Sequence, residues 1–229
     1  MIYRFIIGSC WGSFLAHLGY CLSQNEKIKF RRSHCDFCLH KLNILDLVPI
    51  FSFVLLRGRC RYCGQRIKVA YFVMEVITGI IFTQLKYGSV NEALLFVLIS
   101  VLLVIAYVDY ETLLIADWLL ATVLGVVLID LLSNERGSWL SLCLGVLTVS
   151  GTMALLNRIK QDCFGEGDIK LMAIMGMFLG FEKTMSAALI ATLSAGLIAV
   201  ILKFLFKSPR KYLPFAPFLV LGIIINILR

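Results

Sequence analysis

Two aspartates stand where an apolar segment meets polar sequence, and peptide hydrolysis is a reaction such a pair can perform. Asp109 follows an unbroken apolar run from Ala93 to Val108, and Asp168 closes Gly165-Glu166-Gly167-Asp168 at the start of another apolar segment. In a carboxylate pair, one ionised group activates water while its protonated partner polarises the scissile carbonyl. Charge at the edge of a bilayer is costly, so each of these acids is a candidate for function. Gly165 and Gly167 would let backbone approach Asp168 closely. Plainer readings stand beside this one. Asp is a favoured helix N-cap, which suits Asp168, and Asp109 also fits an ordinary interfacial loop. Glu111 and Asp117 compete for the part of first carboxylate, whereas Asp130 falls at the opposite face. Glu75 is the one acid set well inside an apolar segment. Lys170 is placed either to tune the field near Asp168 or to anchor at the headgroups.

The cysteines offer a second chemistry. Cys35-x-x-Cys38 and Cys60-x-x-Cys63 are separated by 21 residues. Each turn can aim two thiolates at one ion, and two such turns complete the tetrahedral shell that zinc prefers. A closed set of four thiolates leaves no open position, so the expected zinc is structural. Two disulfides or four free thiols are the alternative, and a reducing cytoplasm argues against disulfides. His34 and His40 flank the first pair, but four thiolates need neither. Cys10, Cys21 and Cys143 fall in apolar segments and read as small packing residues. Cys163 lies in a loop without an evident partner.

These groups must be held by helices in lipid. The 229 residues are 60% hydrophobic, with a mean hydropathy of +0.90, against roughly 45–50% apolar residues in soluble domains. A bilayer-spanning helix needs about 20 apolar residues. About eight segments qualify: Ile2–Leu22, Val69–Leu85, Ala93–Val108, Ile115–Leu132, Trp139–Leu156, Ile169–Phe181, Thr184–Phe206 and Leu213–Leu228. The fold class is therefore an all-α polytopic membrane protein. Ile169–Phe181 is short and contains glycine, so it reads either as a full crossing or as a partial, re-entrant helix. The first segment has one basic residue, Arg4, ahead of its apolar run and no cleavage site of small residues, so it reads as a retained helix.

Charge orients the segments. The chain carries a net +8, and residues 23–68 hold ten Lys or Arg against Glu26, Asp36 and Asp46. A basic juxtamembrane loop of this kind belongs in the cytoplasm by the positive-inside rule, and it removes the motive for a nucleic-acid site. With each later segment crossing once, Arg158, Lys160, Lys170, Lys203, Lys207, Arg210 and Lys211 are cytoplasmic too. Arg4, Lys86, Arg136, Lys183 and Arg229 are left outside. Asp109 and Asp168 then share the cytoplasmic face.

The ordered set of motifs resembles a known family. Asp109-x-x-x-x-x-Ile115-x-Asp117, followed by Gly165-x-Gly167-Asp168-x-Lys170-Leu171, is similar to the two catalytic motifs of the GxGD-type prepilin peptidases. Gly12-Ser13-Phe14-Leu15, the cysteine tetrad, Leu56-Arg57-Gly58, Glu75 and Thr78-Gly79 resemble the amino-terminal region of the bacterial members. The resemblance implies a membrane aspartic endopeptidase with Asp109 and Asp168 as its catalytic pair, supported by Gly165, Gly167, Lys170 and Glu75. It implies cleavage after a Gly that ends a short basic leader. The substrates would be prepilins or pseudopilins of pilus, competence or type II secretion systems. It also implies N-methylation of the new terminus in many bacterial relatives, with S-adenosylmethionine as donor. On this reading residues 1–22 are the first transmembrane helix, 23–68 the cytoplasmic zinc loop and 69–229 the protease bundle of an inner or plasma membrane protein. Two rivals remain open from the residues alone. One is a cation-coupled transporter lined by Glu75 and the short segment. The other is a methyltransferase or zinc-stapled scaffold lacking protease activity.

Overall fold

The computed structural model describes residues 1–24, 33–35, 37–85, 90–133, 138–160, 163–205 and 213–229. Among them the chain is helical, with only two isolated bridges, His34 to Lys41 and Arg59 to Arg66. Of the residues used in the charge reading, Glu26, Lys27, Lys29, Arg31, Arg32, Asp36, Lys86, Arg136, Lys207, Arg210 and Lys211 lie outside the described set. The protein is an all-helical multi-pass membrane protein, and it divides into two compact units, Met1–Lys86 and Tyr87–Arg229.

Unit 1 contains α1 (Ile2–Ser23), a 3-10 turn (Ile44–Leu47), α2 (Phe51–Leu55) and α3 (Val69–Gln84). Helices in lipid gain little from apolar burial, so they associate where small residues let backbones come close. Gly8 and Gly12 of α1 do this against α3. A Cβ at Gly8 would sit 2.7 Å from the Thr78 carbonyl oxygen, and one at Gly12 would sit 2.7 Å from that of Met74. Gly79 answers from α3, where a Cβ would collide with Phe5 and Ser9. Ser9 is itself buried, and its hydroxyl is satisfied by the Phe5 carbonyl at 2.9 Å.

Unit 2 contains α4 (Val90–Thr112), α5 (Asp117–Ser133), α6 (Trp139–Ile159), α7 (Glu166–Leu205) and α8 (Ala216–Leu228). A helix of 40 residues would extend about 60 Å, twice the hydrocarbon thickness. The sequence reading divides this stretch into Ile169–Phe181 and Thr184–Phe206. The structure places the division at a single residue, Gly180, whose φ of 73° and ψ of 177° interrupt the helix. That conformation is open to glycine and strained for other residues. Gly180 lies beside the first turn of α6, where Ser141 Oγ accepts the Phe181 N–H at 3.2 Å. The arm 166–179 packs along α6 through facing glycines, with a Cβ at Gly145 falling 2.8 Å from the Gly176 carbonyl oxygen. The arm 181–205 meets α8 where Gly222 abuts the backbone of Ala187.

Among the described residues four helices are long and apolar enough to cross a membrane: Ile2–Ser23, Glu92–Thr112, Trp139–Ile159 and Glu166–Phe204. Val69–Gln84 and Ala216–Leu228 are shorter apolar helices. Large apolar side chains such as Leu132, Leu147, Leu193 and Phe204 point outward, as they do where the surrounding solvent is lipid. Cys21 is buried, while Cys10 and Cys143 lie on outward surfaces and so do not pack internally.

Candidate functional site

The four cysteines of the paired motifs meet in unit 1. Their sulfurs all lie within 4.8 Å of one another, and Cys35 Sγ is 3.8 Å from Cys63 Sγ. Sulfurs held 2.3 Å from a tetrahedral zinc are about 3.8 Å apart, so the donor set fits that ion. Local chain chemistry builds each half. The Cys35 N–H donates to the His40 carbonyl at 3.0 Å and the Leu39 N–H to the Cys35 carbonyl at 2.9 Å. In the second turn the Cys60 N–H donates to Gln65 at 2.8 Å and the Gly64 N–H to Cys60 at 2.9 Å. The residue after each second cysteine takes a positive φ, 72° at Gly64 and 55° at Leu39. Glycine does so freely, and leucine does so under strain.

Burial opposes ionisation of Cys60, but backbone N–H groups of Cys63 and Tyr62 aimed at its sulfur bring its pKa down to about 7. The Gln65 N–H favours the Cys63 thiolate, yet desolvation and the sulfurs of Cys60, Cys38 and Cys35 push it up to about 12. Crowded thiolates repel one another, and a divalent cation reverses that balance. Side chains outside the cluster hold the two turns in register. Asn43 and Asp46 form a capping box on Ile44–Leu47, Asp46 pairs with Arg61 at 2.9 Å, and the His40 ring lies on Tyr62 with centroids 3.7 Å apart.

The two aspartates lie at the same end of unit 2. Asp109 sits near the C-terminal end of α4 and Asp168 in the first turn of α7, and both are buried. They are close enough for their charges to interact. The N–H of Ala216, the first residue of α8, donates to Asp109 Oδ2 at 3.0 Å. Asp168 donates its own N–H to the Gly165 carbonyl at 3.1 Å. Its Oδ1 is buried without a hydrogen-bond partner among the described residues. The two glycines serve close approach. A Cβ at Gly165 would fall 3.2 Å from Asp168 Oδ2, and one at Gly167 would fall 2.7 Å from Ile115 Cβ. An end of α4, the start of α5, the end of α6 and the starts of α7 and α8 thus gather at one end of the unit.

The competitors are placed elsewhere. Glu111 is two residues on, on another side of α4, and half-buried. Asp117 is exposed and bound at 2.7 Å to Lys170, which is therefore engaged with α5 and not with Asp168. Asp130 is buried 13 residues further along α5, about 20 Å from Asp117 at the helical rise. Glu75, in unit 1, accepts the Ile50 N–H at 2.7 Å and a hydrogen bond from Ser13.

Residues 6–88 match the Bacterial Peptidase A24 N-terminal domain, and residues 96–200 match the Type IV leader peptidase family. A prepilin leader peptidase/N-methyltransferase of Bacillus subtilis is 32% identical over 227 residues, covering 96% of this chain and 91% of that relative. The chain belongs to the type IV leader peptidase family. The enzyme of the same name from Pectobacterium carotovorum is 32% identical over 83% of this chain and 71% of its own length. The one from Legionella pneumophila is 29% identical over 96% and 82%. No solved structure matches the chain.

The peptidase-family match contains both aspartates, and the N-terminal-domain match contains all four cysteines. Two features around the aspartates are not legible in the sequence. Ala216 lies beyond residue 200, so the donor to Asp109 comes from outside the matched region. Asn157, at the end of α6, clasps the loop ahead of Asp168. Its Nδ2 donates to the Phe164 carbonyl at 2.8 Å, and its Oδ1 accepts the Phe164 N–H at 2.9 Å. Phe164 in turn packs on Phe215, with ring centroids 5.5 Å apart, so the loops before α7 and α8 are joined. The sequence signal was weak: an Asn closing an apolar helix ahead of a glycine-containing loop.

Asn157→Ala removes both hydrogen bonds, at about 1 kcal/mol each, and should lower kcat/KM for leader cleavage roughly ten- to thirtyfold. Asn157→Asp keeps the acceptor but sets a carboxylate oxygen against the Phe164 carbonyl, so its rate should fall at least as far. Steady-state kinetics on a purified prepilin check this, and equal rates for all three proteins would remove Asn157 from the site.

Proposed function

We propose that this chain is the membrane aspartic endopeptidase that removes the basic leader of prepilins or pseudopilins, cutting after Gly at the cytoplasmic face with Asp109 and Asp168 as the catalytic pair. The observation that supports the reading is two buried carboxylates at one end of the unit, one holding the Ala216 N–H and the other presenting an unpartnered buried oxygen. An acceptor already fixed by a backbone N–H keeps its orientation while it takes a proton from water. An oxygen with spare capacity can bind that water or protonate toward the scissile carbonyl. A substrate peptide would enter where the helix ends gather. Apolar surface around the pair would exclude bulk water and strengthen these interactions.

The cysteine cluster is assigned a structural zinc, held by Cys35, Cys38, Cys60 and Cys63. It would supply cross-linking and no chemistry to the cleavage. N-methylation of the new N-terminus, with S-adenosylmethionine as donor, is proposed as a second activity. Support comes from the N-terminal domain match and the two-part name of the relatives. No residue is assigned to the methyl donor.

The deciding experiment incubates the purified chain in lipid with a prepilin and reads the new N-terminus by mass spectrometry, with and without S-adenosylmethionine. Leader removal after Gly is expected, and an intact substrate would refute the reading. Sidedness rests on the charge asymmetry and on eight crossings. Reporter fusions after Lys41, Thr112 and Lys160 should all register cytoplasm, and one after Ser138 should register outside. Thr112 and Lys160 on opposite faces would separate the two carboxylates and sink the proposal.

A further inference from the structure

Apolar side chains cluster on the surface of unit 1 where a soluble loop would be polar. Ile44 is 80% exposed, Phe51 68% and Leu55 77%, with Leu45, Leu47 and Val54 exposed beside them. All belong to the 3-10 turn and α2, which precede the second cysteine pair. The rest of this segment is firmly attached to α3. Phe53 stacks on Phe72 with centroids 4.9 Å apart, and the Ile50 N–H reaches buried Glu75 at 2.7 Å. Glu75 is six residues into α3, about 9 Å along its axis from Val69. Residues 50–53 therefore lie alongside the first two turns of an apolar helix, and their exposed neighbours sit at the same level.

That level identifies what covers them. α3 has 16 residues and spans about 24 Å, less than the ~30 Å hydrocarbon layer. Its first turns consequently fall at or inside the boundary between headgroups and acyl chains. Interfacial segments bury their apolar side about 5–10 Å into that boundary, which matches the attachment depth at Glu75. Exposed Arg57 and Arg59 follow α2 directly, and Lys68 caps the start of α3. Basic groups so placed attract anionic headgroups.

We propose that residues 44–55 are a lipid-embedded foot, which seats the cysteine loop on the leaflet where α3 begins and draws anionic lipid to Arg57 and Arg59. The foot fixes the loop's height through Glu75 and Phe72, so the cysteine cluster stands on the membrane and not free in water.

The test uses the full chain in vesicles of phosphatidylcholine and phosphatidylglycerol, with a photoreactive benzophenone side chain in place of Leu55 or, in a second protein, Phe51. Gln65, exposed beside the cysteines, is the control position. Illumination should attach lipid at 55 and 51 and none at 65, with phosphatidylglycerol over-represented relative to its share of the vesicle. Arg57→Gln with Arg59→Gln should return that ratio to the vesicle's own. Cross-links from 55 and 51 to a second copy of the chain or to added prepilin would overturn the proposal. So would lipid labelling no stronger than at 65. Lipid adducts without headgroup bias would overturn the role given to the arginines.

Discussion

Asp168→Asn is expected to abolish leader cleavage while the chain still inserts and folds. The substitution keeps side-chain shape and leaves the backbone bond from residue 168 to the Gly165 carbonyl intact. It removes the ability to cycle between carboxylate and acid, on which general acid–base catalysis depends. Asp109→Asn should behave alike, since an amide oxygen can still accept the Ala216 N–H. A fall of roughly a thousandfold or more in kcat is expected for each. Residues that act as one unit are strongly non-additive, so the double variant should be hardly worse than either single one. Glu111→Gln and Asp117→Asn should retain substantial activity, the latter losing only an exposed ion pair with Lys170. Timed cleavage of a purified prepilin reads all five proteins. Should Asp109→Asn cleave normally while Glu111→Gln does not, the first carboxylate is misassigned by two residues although the reaction class survives.

What the chain reveals before folding is whatever is local. Apolar runs announce the helices because lipid demands that every backbone group be satisfied within its own segment. The cysteine turns announce themselves because three-residue spacing alone brings two sulfurs together. The Gly180 break was legible only as a weak point: a short, glycine-containing stretch says that a helix ends and leaves open whether a loop follows. The Ala216 N–H on Asp109 joins residues 107 apart, and no window of sequence contains both. The Asn157 clasp is nearer, seven residues from Phe164, but Asn at a helix end has many ordinary uses. Glu75 is the instructive case. An acid inside an apolar segment invites a functional reading, and the structure gives it a partner in the Ile50 N–H, which fastens the preceding loop. Lys170 likewise stands near Asp168 in sequence, yet its ammonium is spent on Asp117.

Loss of zinc should produce the second large effect, confined to unit 1. The contacts that join the cysteine turns are few and mostly exposed. The Asp46–Arg61 pair joins a half-exposed arginine to an Asp46 side chain only 3% exposed, and a fully exposed pair would contribute about 0–1 kcal/mol. The His40–Tyr62 ring contact is also on the surface, and aromatic pairs add about 0.5–1.5 kcal/mol. Against these stands the entropy lost on ordering the loop backbone, whose described residues bury little apolar surface around the cysteine turns themselves. A structural zinc supplies roughly 10–16 kcal/mol in small peptides near neutral pH, far more than these side-chain contacts. Freshly prepared, unchelated protein should therefore carry about one zinc ion per chain, the stoichiometry of a closed four-thiolate site. Cys35→Ser with Cys60→Ser should release it. The loop should then become sensitive to proteases at its exposed arginines, while the α1–α3 glycine contacts and unit 2 keep their helical signal in circular dichroism. Elemental analysis and limited proteolysis on the same preparations read both halves of the expectation. Metal-free protein with an ordered loop would show that the sulfurs gather without an ion. A mass deficit from disulfides within the two Cys-x-x-Cys turns would show that oxidation has taken the metal's place.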